Sequence, residues 1–331
     1  MKLPEMQSIA FLLTLLCMSA SGLTLPPSTP QSQALPLIIW HGLGDNYNAT
    51  GLLEVGDIFQ SVVDAPVYFV RLDDDPNSDR TATYFGNVTE QVLQVCEAIA
   101  AHPVLSAAPA VNALGFSQGG QFLRGYVELC NTPPVHTLVT FGSQHNGISR
   151  FQQCGTSDWL CNGAMNLLRR NAWSSFVQSR LVPAQYFRSP DDLDTYLENS
   201  AFLADINNER EVKNKAYKKR LSSLETFVMY IFTEDTTVIP KESAWFAEVD
   251  PETLEVTDLK DRDIYKEDWL GLKAIDERGG LKFEKAPGGH MQLSEELLLE
   301  TFTKYFSAGS SKDFYSGEKS YRLQEDLSVH R

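Results

Sequence analysis

The sequence predicts an α/β fold built on a mostly parallel sheet, with a helical insertion between late strands. Three observations predict it. Short apolar runs rich in branched and aromatic residues recur along the chain, segments of helical periodicity lie between them, and one strand-to-helix junction carries a Gly-x-Ser-x-Gly. Leu35 to Trp40 (LPLIIW) opens the series as a buried strand that enters a loop at His41-Gly42, and Ala65 to Val70 is the second strand. Val92, Val95, Cys96 and Ile99 follow helical spacing, which predicts a helix over 90–102 with Cys96 facing inward. Val111 to Phe116 is the next buried strand, and Gln118 to Cys130 the helix after it. Val135 to Phe141, Thr226 to Phe232 and Leu281 to Ala286 complete the strands, and Leu293 to Phe306 is a final helix.

Two stretches break the alternation. Gly147 to Arg220 is too long for a simple crossover and reads as an inserted set of short helices, with Trp173, Phe176 and Phe187 among its apolar residues. Ala308 to Arg331 is polar and weakly periodic, and is expected to be a disordered tail. The main domain is expected over 23–307.

Composition narrows the function. The 331 residues carry a net charge of −15, with 43% hydrophobic and 21% charged side chains. That apolar content is ordinary for a globular protein. The acidity argues against nucleic acid as a partner, because no basic surplus exists to displace counterions from phosphates. It argues equally against electrostatic docking on anionic lipid.

Ile9 to Met18 is apolar, follows Lys2 and precedes small residues, so residues 1–22 read as a signal peptide cleaved near Gly22. Ten residues are too few to span a bilayer, and no later segment is long and apolar enough to do so. Loss of the signal removes Cys17 and leaves Cys96, Cys130, Cys154 and Cys161. In a secretory chain an even count suggests two disulfides, with three possible connectivities. Cys154 and Cys161 are near enough in sequence to pair locally, which would leave Cys96 with Cys130. The lack of a C-x-x-C argues against a zinc site, and no metal or cofactor is expected. Asn48-Ala-Thr and Asn87-Val-Thr are N-glycosylation acceptors if they are exposed in a secretory lumen.

The chemistry centres on Gly115-Phe116-Ser117-Gln118-Gly119. A buried strand ends on its first glycine and a helix begins just after Ser117, which is the strand–turn–helix setting of a nucleophile elbow. A serine at neutral pH needs a base. His330 lies in the tail, His102 at a helix end and His136 inside a strand, where a packed side chain is expected. His145 follows a strand but precedes the slot for the base, and His41 fits a structural role in its loop. His290, in the Pro287-Gly288-Gly289-His290 loop after the last strand, satisfies the chain order serine, acid, histidine. The acid belongs on the loop after Thr226 to Phe232, which offers Glu234 and Asp235. Two N–H groups must hold the oxyanion, and Gln118, next after the serine, and Leu43, in the His41-Gly42-Leu43-Gly44-Asp45 loop, are placed to supply them.

Three segments together carry a resemblance: Trp40 to Asp45, Gly115 to Phe122, and Gly288 to Glu296. With Phe202 to Asn207, Phe227 to Met229 and Leu270 to Lys273, the chain resembles the palmitoyl-protein thioesterases from about residue 35 to 306. The resemblance implies an α/β-hydrolase fold whose helical insertion helps to form an acyl groove. It implies cleavage of the thioester between a palmitoyl or similar fatty acyl chain and cysteine in S-acylated proteins or peptides, in a lysosome-like or other secretory compartment. It places nucleophile, acid and base on Ser117, Asp235 and His290, and the oxyanion donors on Leu43 and Gln118. It suggests the disulfides Cys96–Cys130 and Cys154–Cys161. Where a member of the family has a cysteine pair, this chain has Asn46-Tyr47, and Leu43 stands in place of a methionine. Trp173, Phe176 and Phe187 are the expected groove residues. A carboxylester lipase or acyl-coenzyme A thioesterase would share the triad and oxyanion hole, and a non-catalytic lipid carrier would not need an intact set.

Overall fold

A computed structural model describes residues 34–150, 154–155 and 157–307. The expected signal peptide and tail lie outside these residues. The chain enters at strand β1 (Leu37–Trp40), helix α1 (Thr50–Val63) and β2 (Val67–Phe69). Helices α2 (Pro76–Ala82), α3 (Val88–Ala101) and α4 (Pro103–Ala107) lead to β3 (Val111–Phe116), α5 (Gln118–Leu129) and β4 (Val135–Phe141).

The insertion then supplies α6 (Trp159–Asn171), α7 (Ser175–Gln178), α8 (Val182–Gln185), α9 (Leu193–Asn199), α10 (Leu203–Ile206) and α11 (Lys215–Leu221) before β5 (Thr226–Phe232). A two-stranded hairpin of β6 (Glu248–Val249) and β7 (Val256–Thr257) follows, then α12 (Asp263–Lys266), α13 (Leu272–Glu277), β8 (Leu281–Ala286) and α14 (Glu295–Tyr305). Every predicted strand is present, four of them over the predicted residues, and α1 is an addition. Its two glycines mask it in sequence, but Leu52, Val55, Phe59 and Val63 still form one buried stripe.

Six strands form one sheet in the order β2-β1-β3-β4-β5-β8, and every neighbouring pair is parallel. A parallel sheet is covered on both faces, so its strands are apolar on both sides. Ile38 and Trp40 face one core with Phe122 and Tyr126, while Leu37 and Ile39 face the other with Phe59 and Phe302. The second core is tied by edge-on aromatic pairs, Phe59 lying 5.7 Å from Phe302 and 5.8 Å from Phe306.

The insertion has a small core of its own around Met165, Leu168, Val177 and Leu181. Cys154–Cys161 ties the start of α6, and Cys96–Cys130 ties α3 to the end of α5, with Cα–Cα distances of 5.7 and 6.2 Å. The chain leaves β1 in one direction to make β2 and returns on the other side to make β3. Such a reversal opens a crevice at the carboxyl ends of the strands, where open α/β sheets bind their ligands. The loops carrying His41, Ser117, Asp235 and His290 leave the carboxyl ends of β1, β3, β5 and β8.

Candidate active site

Ser117 stands between β3 and α5 with φ +51° and ψ −124°, a conformation that costs an L-residue energy and persists only when its surroundings impose it. Two glycines make the turn possible. A Cβ on Gly115 would sit 2.2 Å from the Gly120 Cα, and one on Gly119 would sit 2.3 Å from the carbonyl oxygens of Trp40 and His41. The Ser117 N–H donates to the Phe141 carbonyl at 2.8 Å, which fixes the elbow to β4.

The Ser117 hydroxyl lies 3.0 Å from His290 Nε2, and His290 Nδ1 lies 2.7 Å from Asp235 Oδ2. The second Asp235 oxygen accepts the N–H groups of Thr237 and Val238 at 2.8 and 3.0 Å. Asp235 is buried and held from both sides, whereas Glu234 beside it is exposed. Two bonds staple the base loop to the acid loop: Gly288 N–H to Thr233 Oγ1, and Glu234 N–H to the Gly288 carbonyl. Asp235, His290 and Ser117 thus form a continuous hydrogen-bonded line across three strand ends.

The Leu43 loop packs against the elbow, since a Cβ on Gly42 would lie 3.2 Å from the Ser117 Cβ. Among the described residues neither the Leu43 N–H nor the Gln118 N–H has a hydrogen-bond acceptor. The Gln118 side chain is pinned, donating to the Thr83 carbonyl and accepting from the Tyr186 hydroxyl at 3.1 Å. The Leu43 loop is pinned through its histidine. His41 Nε2 lies 2.9 Å from Asp79 Oδ2, and both side chains are buried. Asp79 also accepts the N–H groups of Tyr47 and Leu72. Burial raises the Asp79 carboxyl, but the His41 bond and charge and these two N–H groups outweigh it, and its pKa is lowered. Sequence reading did not find Asp79, because it closes a run with Asp73, Asp74 and Asp75 in which no position stands out.

His330 lies outside the described residues, and the other histidines are accounted for. His145 is fully buried, bonded through Nε2 to Thr140 Oγ1 and stacked on Phe246, and burial holds its pKa well below the ordinary value. His102 caps α4 and packs on Tyr68. His136, expected to be packed, is exposed near the start of β4. Asn48 lies exposed before α1, and the Asn87 side chain caps α3 by accepting the Glu90 N–H.

Ser117 and His290 open into a cavity of about 710 Å³, within the size range of small-molecule sites. On one side it is lined by Ile148, Met165, Pro183, Tyr186 and Val238, from the insertion and the loop after β5. On the other it runs between α1 and α14, over Leu52, Val55, Ile58, Leu293 and Leu298. The three predicted groove aromatics do not line it. Trp173 packs on Phe187 at 5.3 Å and on Tyr196 at 6.1 Å, half-buried against the main core, and Phe176 is 55% exposed beneath Arg180. Their hydrophobicity serves the attachment and the surface of the insertion, and smaller residues of α6, α8 and α1 line the cavity.

Residues 36–290 match the family described as Palmitoyl protein thioesterase. The chain is similar to palmitoyl-protein thioesterase 1 of Caenorhabditis elegans, with 35% identity over 88% of this chain and 98% of that one. It is also similar to palmitoyl-protein thioesterase 3 of Dictyostelium discoideum, with 33% identity over 76% of this chain and 83% of the relative. A lysosomal thioesterase of Mus musculus, PPT2, is 28% identical over 77% of this chain and 81% of its own.

Proposed function

The chain belongs to the palmitoyl protein thioesterase family, and on that premise we propose that its thioesterase activity frees palmitoyl groups from S-acylated cysteines through an acyl-Ser117 intermediate. The observation that carries this reading is the Asp235–His290–Ser117 line of hydrogen bonds, at 2.7 and 3.0 Å, opening into the cavity.

His290 Nε2 takes the serine proton as Oγ attacks the thioester carbonyl, and Asp235 stabilises the imidazolium. The Leu43 and Gln118 N–H groups hold the oxyanion, each free to do so without breaking another bond. When the tetrahedral intermediate collapses, the C–S bond breaks and the sulfur leaves. A thiol has a pKa of about 8.5, so the leaving group needs less of the proton on His290 than an alkoxide would. Water then gives its proton to His290 as it attacks the acyl-serine, and the fatty acid departs. The acyl chain lies along Ile148, Met165, Pro183, Tyr186 and Val238, the side of the cavity without charged residues. The lysosomal naming of a relative and the two disulfides support an acidic compartment of the secretory route.

Release of palmitate from a palmitoyl-cysteine peptide, beside its serine-ester isostere, tests the reading. The thioester should be cleaved faster, and Ser117→Ala should abolish turnover. Undiminished hydrolysis by Ser117→Ala would sink the serine mechanism, and a preference for the ester would make the protein a lipase-like esterase.

A further inference from the structure

The two sides of the cavity differ in charge. No charged residue of the insertion lines it, but Asp45, Glu54, Asp57 and Glu295 edge the side between α1 and α14. Among the described residues Glu54, Asp57 and Glu295 make no ion pair, and no Lys or Arg lines the cavity. A second observation comes from a different element. Gln144, after β4, lines the same cavity and is 2% exposed, yet its side-chain oxygen has no hydrogen-bond partner. A buried acceptor left without a donor is costly. A fatty acyl chain brings no N–H, whereas the backbone beside an acylated cysteine does.

We propose that the α1–α14 side of the cavity receives the leaving group as a cationic peptide, with Gln144 bonding its backbone and the four carboxylates favouring basic flanking residues. This rests on the thioesterase reading above and names its substrate class. The same four charges repel a polyanionic carrier such as coenzyme A, whose phosphates would pass over this rim once the thioester carbon is at Ser117. An apolar floor of Leu52, Val55 and Leu298 under an acidic edge suits the alkyl stems of Lys and Arg, which lie on carbon while their charges reach the rim. Placing a long acyl chain there would set it beside four carboxylates when an uncharged path is open on the other side.

Three palmitoyl thioesters test it: a cysteine peptide flanked by lysines, the same peptide flanked by glutamates, and palmitoyl-coenzyme A. At an ionic strength of about 0.01 M, where screening is weak, kcat/KM should favour the lysine peptide over each of the others by about tenfold or more. The advantage should shrink at about 0.15 M, and in a Glu54→Gln/Asp57→Asn/Glu295→Gln variant, whose exposed positions leave the core intact. Gln144→Met should slow the peptide by about fivefold, a larger loss than for the palmitoyl thioester of mercaptoethanol, which has no N–H. Equal kcat/KM for all three substrates, or a ratio indifferent to salt and to the triple variant, overturns the proposal alone. Cleavage of none of them overturns the thioesterase reading and this proposal together.

Discussion

Two histidine–aspartate pairs stand on loops at the carboxyl end of the sheet, and only one of them also reaches the Ser117 hydroxyl. His290 gives Nδ1 to Asp235 and keeps Nε2 for Ser117, at the wall of the cavity. His41 gives Nε2 to Asp79 and has Nδ1 3.2 Å from the Gly42 carbonyl, with both side chains shut away from solvent. The chemistry of the two pairs is the same, so the second ring nitrogen decides the role. Facing a nucleophile, it moves protons; committed to the backbone of its own loop, it holds that loop against the elbow.

Substitution of the two aspartates separates the roles. Asp235→Asn should lower kcat by roughly 10⁴-fold, as loss of the orienting carboxylate does in serine triads, with little change in melting temperature. Asp79→Asn should do the reverse in proportion. It leaves buried donors without their acceptor and should destabilise the protein by about 3–5 kcal/mol. Its effect on kcat should stay at or below the 10²–10³-fold expected for a displaced oxyanion donor. Denaturant melts beside steady-state rates read both quantities. If Asp79→Asn matched Asp235→Asn in rate while leaving stability intact, His41 would be a second catalytic base and the distinction would fall.

The contrast also explains what the sequence disclosed. Ser117 and His290 follow β3 and β8, in slots that strand runs and chain order single out, and the loop after β5 offers two carboxylates, Glu234 and Asp235. Glu234 and Asp235 are neighbours that face opposite ways, and only the fold assigns one to His290. Asp79 lies 38 residues from the histidine it serves and has no local pattern. The insertion was legible as a length of chain and as helices, but not as a surface. Its largest aromatics packed inward or stood in solvent, because short helices without a long period do not reveal which face meets the cavity. α1 was hidden by Gly51 and Gly56, although Gly56 is what lets the helix meet Phe69 closely.

The cavity wall tests that lesson at a smaller scale. Met165→Phe should narrow the side beneath the insertion and shift the preference toward shorter acyl chains, by about 0.8 kcal/mol for each methylene denied burial. Trp173→Phe should alter stability and leave chain length preference unchanged. A series of acyl-cysteine peptides read by kcat/KM distinguishes them, and a shift in preference from the Trp173 variant would return that aromatic to the groove.

A third ion pair carries the comparison to its smallest expected effect. Arg124 and Glu128 are wholly buried, 2.8 Å apart, one turn along α5 behind the elbow. Arg124 also donates to the carbonyls of His145 and Ile206 and to Asn207, so it joins α5 to the start of the insertion and to α10. Burial pushes the Glu128 carboxyl up to about 8, against the pull of Arg124. A carboxyl raised in the folded state holds a proton there that the unfolded chain has lost. Between about 4.5 and 8, then, folding takes up a proton, and stability falls as pH rises, by up to about 1.4 kcal/mol per unit. Below about 4.5 both states are protonated, and the contribution is present in full. The pair therefore favours the folded chain at acidic pH, and Glu128→Gln, which stays neutral throughout, should flatten the dependence of melting temperature on pH across that window. An unchanged slope would mean that Glu128 remains ionised beside Arg124. The pair would then act as a fixed strut between α5 and α10, as His41–Asp79 does between its two loops.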